Sequence, residues 1–157
     1  MPDMLVKLYE LPDNSKLISQ LDEKGYRIMR AMAPNKSKVI RYVKETFGEN
    51  WASECDVAFS NKPITCIIAV DKDKNIVGFA CYEATCKAYF GPIGVSENCR
   101  GLNIGKALLI YALQGLKELG YAYAIIGGPE DAVGFYERTV NAIIIPGSTP
   151  GIYKDMI

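Results

Sequence analysis

Ile93-Gly94-Val95-Ser96-Glu97-Asn98-Cys99-Arg100-Gly101-Leu102-Asn103-Ile104-Gly105-Lys106-Ala107-Leu108-Leu109 is the stretch on which the reading of this chain turns. An apolar run, Ala88 to Val95, ends inside it. A polar loop follows, then a glycine-punctuated turn, then an amphipathic segment reaching Leu119. Strand, turn and helix in that order leave backbone N–H groups free at a helix N-terminus, a site for anions and above all for phosphates. Spacing removes two familiar phosphate loops. A P-loop needs four residues between its glycines and a hydroxyl residue after its lysine. Here three residues separate Gly101 from Gly105, and Ala107 follows Lys106. A dinucleotide turn needs GxGxxG after an early strand, which Gly101-Leu102-Asn103-Ile104-Gly105 does not supply.

Working outward, the helix after the turn carries Ile104, Leu108, Leu109, Ala112, Leu113, Leu116 and Leu119 on one face and stops at Gly120. Lys106, Gln114, Lys117 and Glu118 lie largely off that face. Before the turn, Ile64–Val70 and Ile76–Tyr82 read as a hairpin of buried strands around Asp71–Asn75. Ala88–Val95 is the third strand. Pro92 lacks a ladder donor and Gly94 suggests a bulge, so this strand is expected to part from a neighbour. Further upstream, Tyr26–Met32 alternates as a strand. Two helices follow, one with Val39, Ile40, Val43 and Phe47 ended by Gly48, the next with Trp51, Ala52, Cys55 and Phe59 ended near Asn61. Downstream come a strand at Tyr121–Ile126, a short helix from Asp131 to Thr139, a strand at Ala142–Ile145 and a last strand within Ile152–Ile157.

The pattern predicts a mixed α/β domain on one twisted sheet. The strands flanking the long helix should be parallel neighbours joined by a right-handed crossover. Residues 26–157 form this domain. Residues 1–25, with a short helix capped by Asn14 or Ser15, read as an N-terminal appendage packed on it.

With 157 residues the chain is one domain long. Lys+Arg and Asp+Glu are both 18, and this zero formal charge argues against a nucleic-acid surface. No apolar run approaches the roughly 20 residues of a membrane span, and Met1-Pro2-Asp3-Met4 does not open a secretory signal. The five cysteines form no CxxC pair and histidine is absent, so no metal is expected. Free thiols point to the cytoplasm. Without histidine there is no Ser–His or Cys–His nucleophile, and acid–base work falls to Tyr, Glu, Asp, Cys, Lys or water.

Arg100-Gly101-Leu102-Asn103-Ile104-Gly105 resembles the acetyl-CoA pyrophosphate loop of the GNAT superfamily, written (Gln/Arg)-x-x-Gly-x-(Gly/Ala). Arg100 and Gly105 match its ends. Asn103 replaces the middle glycine, and Asn is among the residues most tolerant of left-handed backbone angles. Ile93-Gly94-Val95 resembles the family's splayed strand, and Ala132-Val133-Gly134-Phe135-Tyr136-Glu137 its A-x-x-F-Y-E helix. Pro129 stands where relatives often carry a coenzyme-binding Asn.

The resemblance implies the GNAT acyl-CoA N-acyltransferase fold and direct acetyl transfer from acetyl-CoA to a primary amine of a small molecule or peptide, in a ternary complex. It implies a coenzyme site of Ile93, Gly94, Val95, Arg100, Gly101, Leu102, Asn103, Ile104, Gly105 and Lys106. A backbone N–H near Val95 would serve the thioester oxygen, and Tyr136 would be the acid for the departing thiolate. Glu83, at the end of the second hairpin strand, is the first candidate base and Glu54 the second. Cys99 reads as incidental. The acceptor pocket is expected from residues 34–62 and Gly147–Tyr153. Homodimers are common for this fold. A catalytically silent acyl-CoA-binding module is the alternative, and nucleotide binding a more distant one.

Overall fold

Apolar, β-branched runs between polar turns dictate strands, and seven of them build one sheet: β1 (Met4–Lys7), β2 (Arg27–Arg30), β3 (Cys66–Val70), β4 (Ile76–Tyr82), β5 (Tyr89–Val95), β6 (Tyr123–Ile126) and β7 (Ile143–Ile144). The computed structural model describes residues 1–157. Five helices cover the sheet: α1 (Ser15–Glu23), α2 (Lys36–Phe47), α3 (Glu49–Ser60), α4 (Ile104–Glu118) and α5 (Val133–Val140). The strand order is β2-β3-β4-β5-β6-β1-β7. Every pairing is antiparallel except β5 with β6, which flank α4 and run parallel as expected.

A strand apolar at every position must be covered on both faces. Along β3, Ile67 and Ala69 enter the core shared with α4, while Cys66, Ile68 and Val70 enter the core shared with α2 and α3. Helix α4 is the larger investment. Leu108, Leu109, Leu113 and Leu116 are all at 0% exposure, and burying each such side chain stabilises by about 1.5–3 kcal/mol. Gly120, at φ 102°, ends the helix and donates its N–H to Lys117 O at 3.0 Å. Leu119, assigned to the core face in the sequence, is exposed because the helix axis has ended before it. No helix is long and apolar enough to cross a membrane.

The N-terminal segment differs from expectation. It is not laid on the outside: β1 sits between β6 and β7, with Leu5 opposite both Ile125 and Ile143. Met4, Val6 and Leu8 are fully buried, the period-2 face of a strand too short to stand out before Pro12. Asn14 holds the N-cap position of α1 but makes no side-chain cap bond; Asp13, one residue earlier, accepts the Ser15 N–H at 3.0 Å. Asn14 instead reaches across to Ala107 O of α4 at 3.0 Å. The last segment is not a strand. Gly151, at φ 62°, turns the chain into a 3-10 helix over Gly151–Asp155.

Candidate active site

Strand β5 holds β6 only at Tyr89–Ile125 and Phe90–Ile126. On its other side it stays with β4 as far as Val95–Gly78. The separation begins where the sequence places Gly91 and Pro92. Ala80 faces Ile93 and Tyr82 faces Phe90, so these two residues bulge opposite Cys81. Gly94 has a different cause from the one read in the sequence: a Cβ there would lie 2.5 Å from the Phe47 ring. The aromatic cluster of Phe47 with Phe79, at 5.5 Å between centroids, therefore packs directly on the β5 backbone.

Ser96 donates its N–H to Val77 O on β4 at 2.8 Å. An antiparallel ladder alternates the direction of its backbone groups, so the N–H and C=O of Val95 and Ile93 face the other way, into the gap. Arg100 Nε donates to Val95 O at 3.3 Å, which is consistent with that direction and leaves the Val95 N–H free. Tyr42 and Ser96 hydroxyls share a hydrogen bond at 2.7 Å and tie α2 to the strand's exit.

The glycine turn follows. Gly101 has φ 83°, and Asn103 has φ 67° and ψ 19° in the left-handed region that the sequence assigned it. Ala107 N donates to Asn103 O at 3.1 Å, so Ile104, Gly105 and Lys106 present first-turn N–H groups with no intrahelical acceptor. A Cβ on Gly105 would find only ordinary contacts, at 3.7 Å from Val95 and 3.9 Å from Phe135.

Gap and turn belong to one cleft of about 1220 Å³. The coenzyme residues named from the sequence all line it except Leu102, which turns its side chain into the main core. Tyr136 lines it too, at 5% exposure, and packs edge-on against Phe90 at 6.3 Å. Burial raises its pKa well above the ordinary tyrosine value.

Glu83 is not at the cleft. One carboxylate oxygen accepts the Ala88 N–H, and the other accepts the Tyr121 hydroxyl at 2.9 Å. The residue has φ 56° and braces the turn between β4 and β5. A strand-end carboxylate is consumed this way when the turn leaves N–H groups unpaired, and the candidacy as base is corrected accordingly. Glu54, the second candidate, does line the cleft. Thr85 donates to its Oε1 at 2.7 Å, leaving Oε2 free.

Two further features bear on the cleft. The first lies in the Gly147–Tyr153 segment expected to wall an acceptor pocket: as a 3-10 helix rather than a loop it brings Tyr153 into the cleft, where a Cβ on Gly127 would strike its ring. Burial, with Glu54 and Asp3 adding to it, pushes the Tyr153 hydroxyl up to about 12. The Pro-Gly before this segment was its only local signal. The second feature is a convergence of Cys55, Cys66 and Cys81, all at 0% exposure, their sulfurs within 4.8 Å of one another. Cys66 and Cys81 are cross-strand partners, and α3 supplies the third thiol. Burial pushes Cys81 up, and Cys66, hydrogen bonded to Cys55, moves the same way. A three-sulfur set is a donor set for soft ions, and no CxxC spacing announces it.

A sequence profile of the acetyltransferase (GNAT) family matches residues 36–141. No curated protein matches the chain. A glucosamine N-acetyltransferase region of a fungal multi-domain GH3 β-N-acetylglucosaminidase superposes on 92% of this chain with TM-score 0.73 and 15% identity; this chain covers 19% of it. A GCN5-related N-acetyltransferase from Sphaerobacter thermophilus superposes on 92% with TM-score 0.71 and 18% identity, and is covered to 48%. A GNAT acetyltransferase from Brucella melitensis, solved with acetyl-CoA, superposes on 72% with TM-score 0.54 and 17% identity, and is covered to 80%. The chain thus spans half or less of the first two. Identities this low speak for the fold, and the profile, matching more than half of the sequence, speaks for the lineage: the chain belongs to the GNAT acetyltransferase family.

Proposed function

We propose that this protein acetylates a primary amine of a small molecule or peptide, taking the acetyl group from acetyl-CoA by direct attack in a ternary complex. One observation carries the proposal. The free edge of β5 at Ile93–Val95, the open N-terminus of α4 and the Tyr136 side chain all meet in one cleft. The donor set fits the coenzyme's parts: an unpaired strand edge for an amide-bearing arm, and first-turn N–H groups for a pyrophosphate. The solved structure from Brucella melitensis carries acetyl-CoA on the same fold, which supports the assignment.

When bound, acetyl-CoA supplies a thioester open to attack by an amine. Ile93 and Val95 would hold the arm by strand-like pairing. The Val95 N–H would donate to the acyl oxygen as negative charge develops there, the role of an oxyanion donor. Glu54 Oε2 would take the proton of the incoming ammonium, directly or through water. Tyr136, kept protonated by burial, would donate its proton to the sulfur as the C–S bond breaks.

Free-thiol release from acetyl-CoA, followed across an amine library, tests this reading. Release that depends on amine is the expected result. Pro129, which has no side-chain amide to offer, favours the rival reading of a silent acyl-CoA-binding module. Thermal stabilisation by acetyl-CoA with no release on any amine would decide for that rival. Stabilisation by ATP and not by CoA would refute both.

A further inference from the structure

Three thiols meet in the core between the sheet and α3. Cys55 comes from the middle of α3, Cys66 from the first position of β3 and Cys81 from β4, and all three are fully buried. The sulfurs of Cys55 and Cys66 are 3.8 Å apart, and all three lie within 4.8 Å of one another. Cysteine used as a small hydrophobe needs only to fill volume, and that asks for no convergence of sulfurs. Three sulfurs around one ion at about 2.3 Å stand about 4.0 Å apart in a trigonal plane. The largest separation here therefore closes by less than about 1 Å. No carboxylate joins the set, and the chain has no histidine. The walls are hydrocarbon, with Val43, Ala52, Phe59, Ile68 and Phe79 in the same core. Thr65, the buried polar residue next to Cys66, is already engaged: its hydroxyl accepts from Asn61 at 2.8 Å and donates to Ala58 O at 3.4 Å.

We propose that Cys55, Cys66 and Cys81 form a structural site for one Cu(I) ion. The donor chemistry selects the ion. Thiolate sulfur favours soft ions. Zinc in a structural site takes four ligands, and this core has no source for the fourth. Cu(I), a monovalent closed-shell ion, is satisfied by three sulfurs. Two S–H protons leave for solvent as the three S–Cu bonds form, and the third sulfur keeps its proton, so ion and ligands together carry one negative charge. No electron is transferred. That charge costs free energy in an apolar core, and the metal–sulfur bonds offset it. The thiols are closed off from solvent, so the ion enters before the core closes and its binding is part of folding. The consequence reaches the cleft. Helix α3 carries Trp51 and Glu54, which line the cleft together with Tyr153 and Met156, and Cys55 directly follows Glu54. An ion bonded to Cys55 clamps that wall to β3 and β4. The inference stands independently of the acetyltransferase reading.

The test refolds the full chain from urea, reduced and without oxygen, with Cu(I) supplied from a competing chelator strong enough to strip copper from single thiols. Elemental analysis should give one copper per chain. Copper X-ray absorption should show three sulfurs at about 2.3 Å and no nitrogen or oxygen neighbour. Tm should rise by about 5 °C or more at saturating Cu(I). Cys55→Ala and Cys81→Ala should each lower the Cu(I) affinity by about a hundredfold or more, and Cys86→Ser, at an exposed thiol, should leave it unchanged. A melt without copper shows whether each variant folds, and the coordination number of the wild-type protein needs no variant at all. Copper well below one per chain, a shell other than three sulfurs, uptake undiminished in the alanine variants that fold, or zinc raising Tm as much as copper each overturns the site and leaves the three thiols as core packing.

Discussion

Replacing Tyr136 by Phe removes one oxygen from the wall of the cleft and nothing else. The ring stays in its contact with Phe90, 6.3 Å between centroids, and with Phe135, at 5.3 Å. The side chain is at 5% exposure and its hydroxyl opens on the cleft rather than into the closed core. Removing it therefore leaves no core partner unpaired, and stability should stay within about 1 kcal/mol of wild type. For a domain this size that is about 2–4 °C in Tm. Activity should fall steeply. A positioned general acid contributes about 10²–10⁴-fold, and its loss should fall on kcat, with KM for acetyl-CoA within about threefold of wild type. Thiol release under saturating acetyl-CoA reads kcat, and a thermal melt of the same sample reads stability. Unchanged kcat would refute the acid role. A Tm lowered by many degrees would show that the hydroxyl is structural and that the loss of activity has another origin.

Four further outcomes follow from the same geometry. Glu83→Gln should weaken the turn, which loses a charged acceptor for Ala88 and Tyr121, by about 1–3 kcal/mol in denaturant unfolding. Its pH–rate profile should match wild type, whereas Glu54→Gln should change that profile and leave the melt nearly unmoved. Asn103→Ala, at φ 67°, should cost about 1–2 kcal/mol and weaken coenzyme binding in a titration, while Asn103→Gly should retain both. A thiol reagent should label exposed Cys86 quickly in the native protein and reach Cys55, Cys66 and Cys81 only on unfolding; elemental analysis of the same sample tests whether the trio carries a soft ion. Tyr153 titrates near 12 folded against 10.0 unfolded. The folded state therefore holds its proton more tightly, and the stability this gives is complete below pH 10.0 and lost as pH rises towards 12, visible as alkaline unfolding that Tyr153→Phe lessens.

The donor half of the site was legible because it is built from consecutive residues and from backbone groups. Pro92 cannot donate to a ladder, so a parted strand can be read from it alone; Gly94, read as a bulge, instead admits the Phe47 ring, and the turn of β5 falls at Gly91, at φ 120°. Asn103 tolerates a left-handed angle, so the turn can be read as well. Elements bounded by glycine or proline, such as α2 ended by Gly48, fell where the sequence placed them. By contrast, β1 carries only four residues, and its burial between β6 and β7 depends on partners more than a hundred residues away.

The acceptor half was legible only as two segments, residues 34–62 and 147–153, and not as side chains with roles, for a related reason. Its groups come from separate segments, and each has an ordinary local use. Glu83 and Glu54 are both carboxylates near the β4 exit, and nothing in their immediate sequence ranks them. What ranks them is their partners. Tyr121, on the far side of α4 in sequence, claims Glu83 together with Ala88, while Thr85 claims one oxygen of Glu54 and leaves the other to the cleft. Tyr153 is similar: the 3-10 turn places its ring where Gly127 has no side chain to exclude it. A family with a common donor keeps the backbone-built half within one short stretch. The acceptor half is assembled by tertiary contacts, so it can change by single side chains without disturbing the turn proposed to hold the coenzyme. That division predicts where substitutions alter chemistry and where they alter choice. Changes at Asn103 or Gly105 should affect every acceptor alike, and changes at Trp51 or Met156 should reorder acceptors while KM for acetyl-CoA stays put.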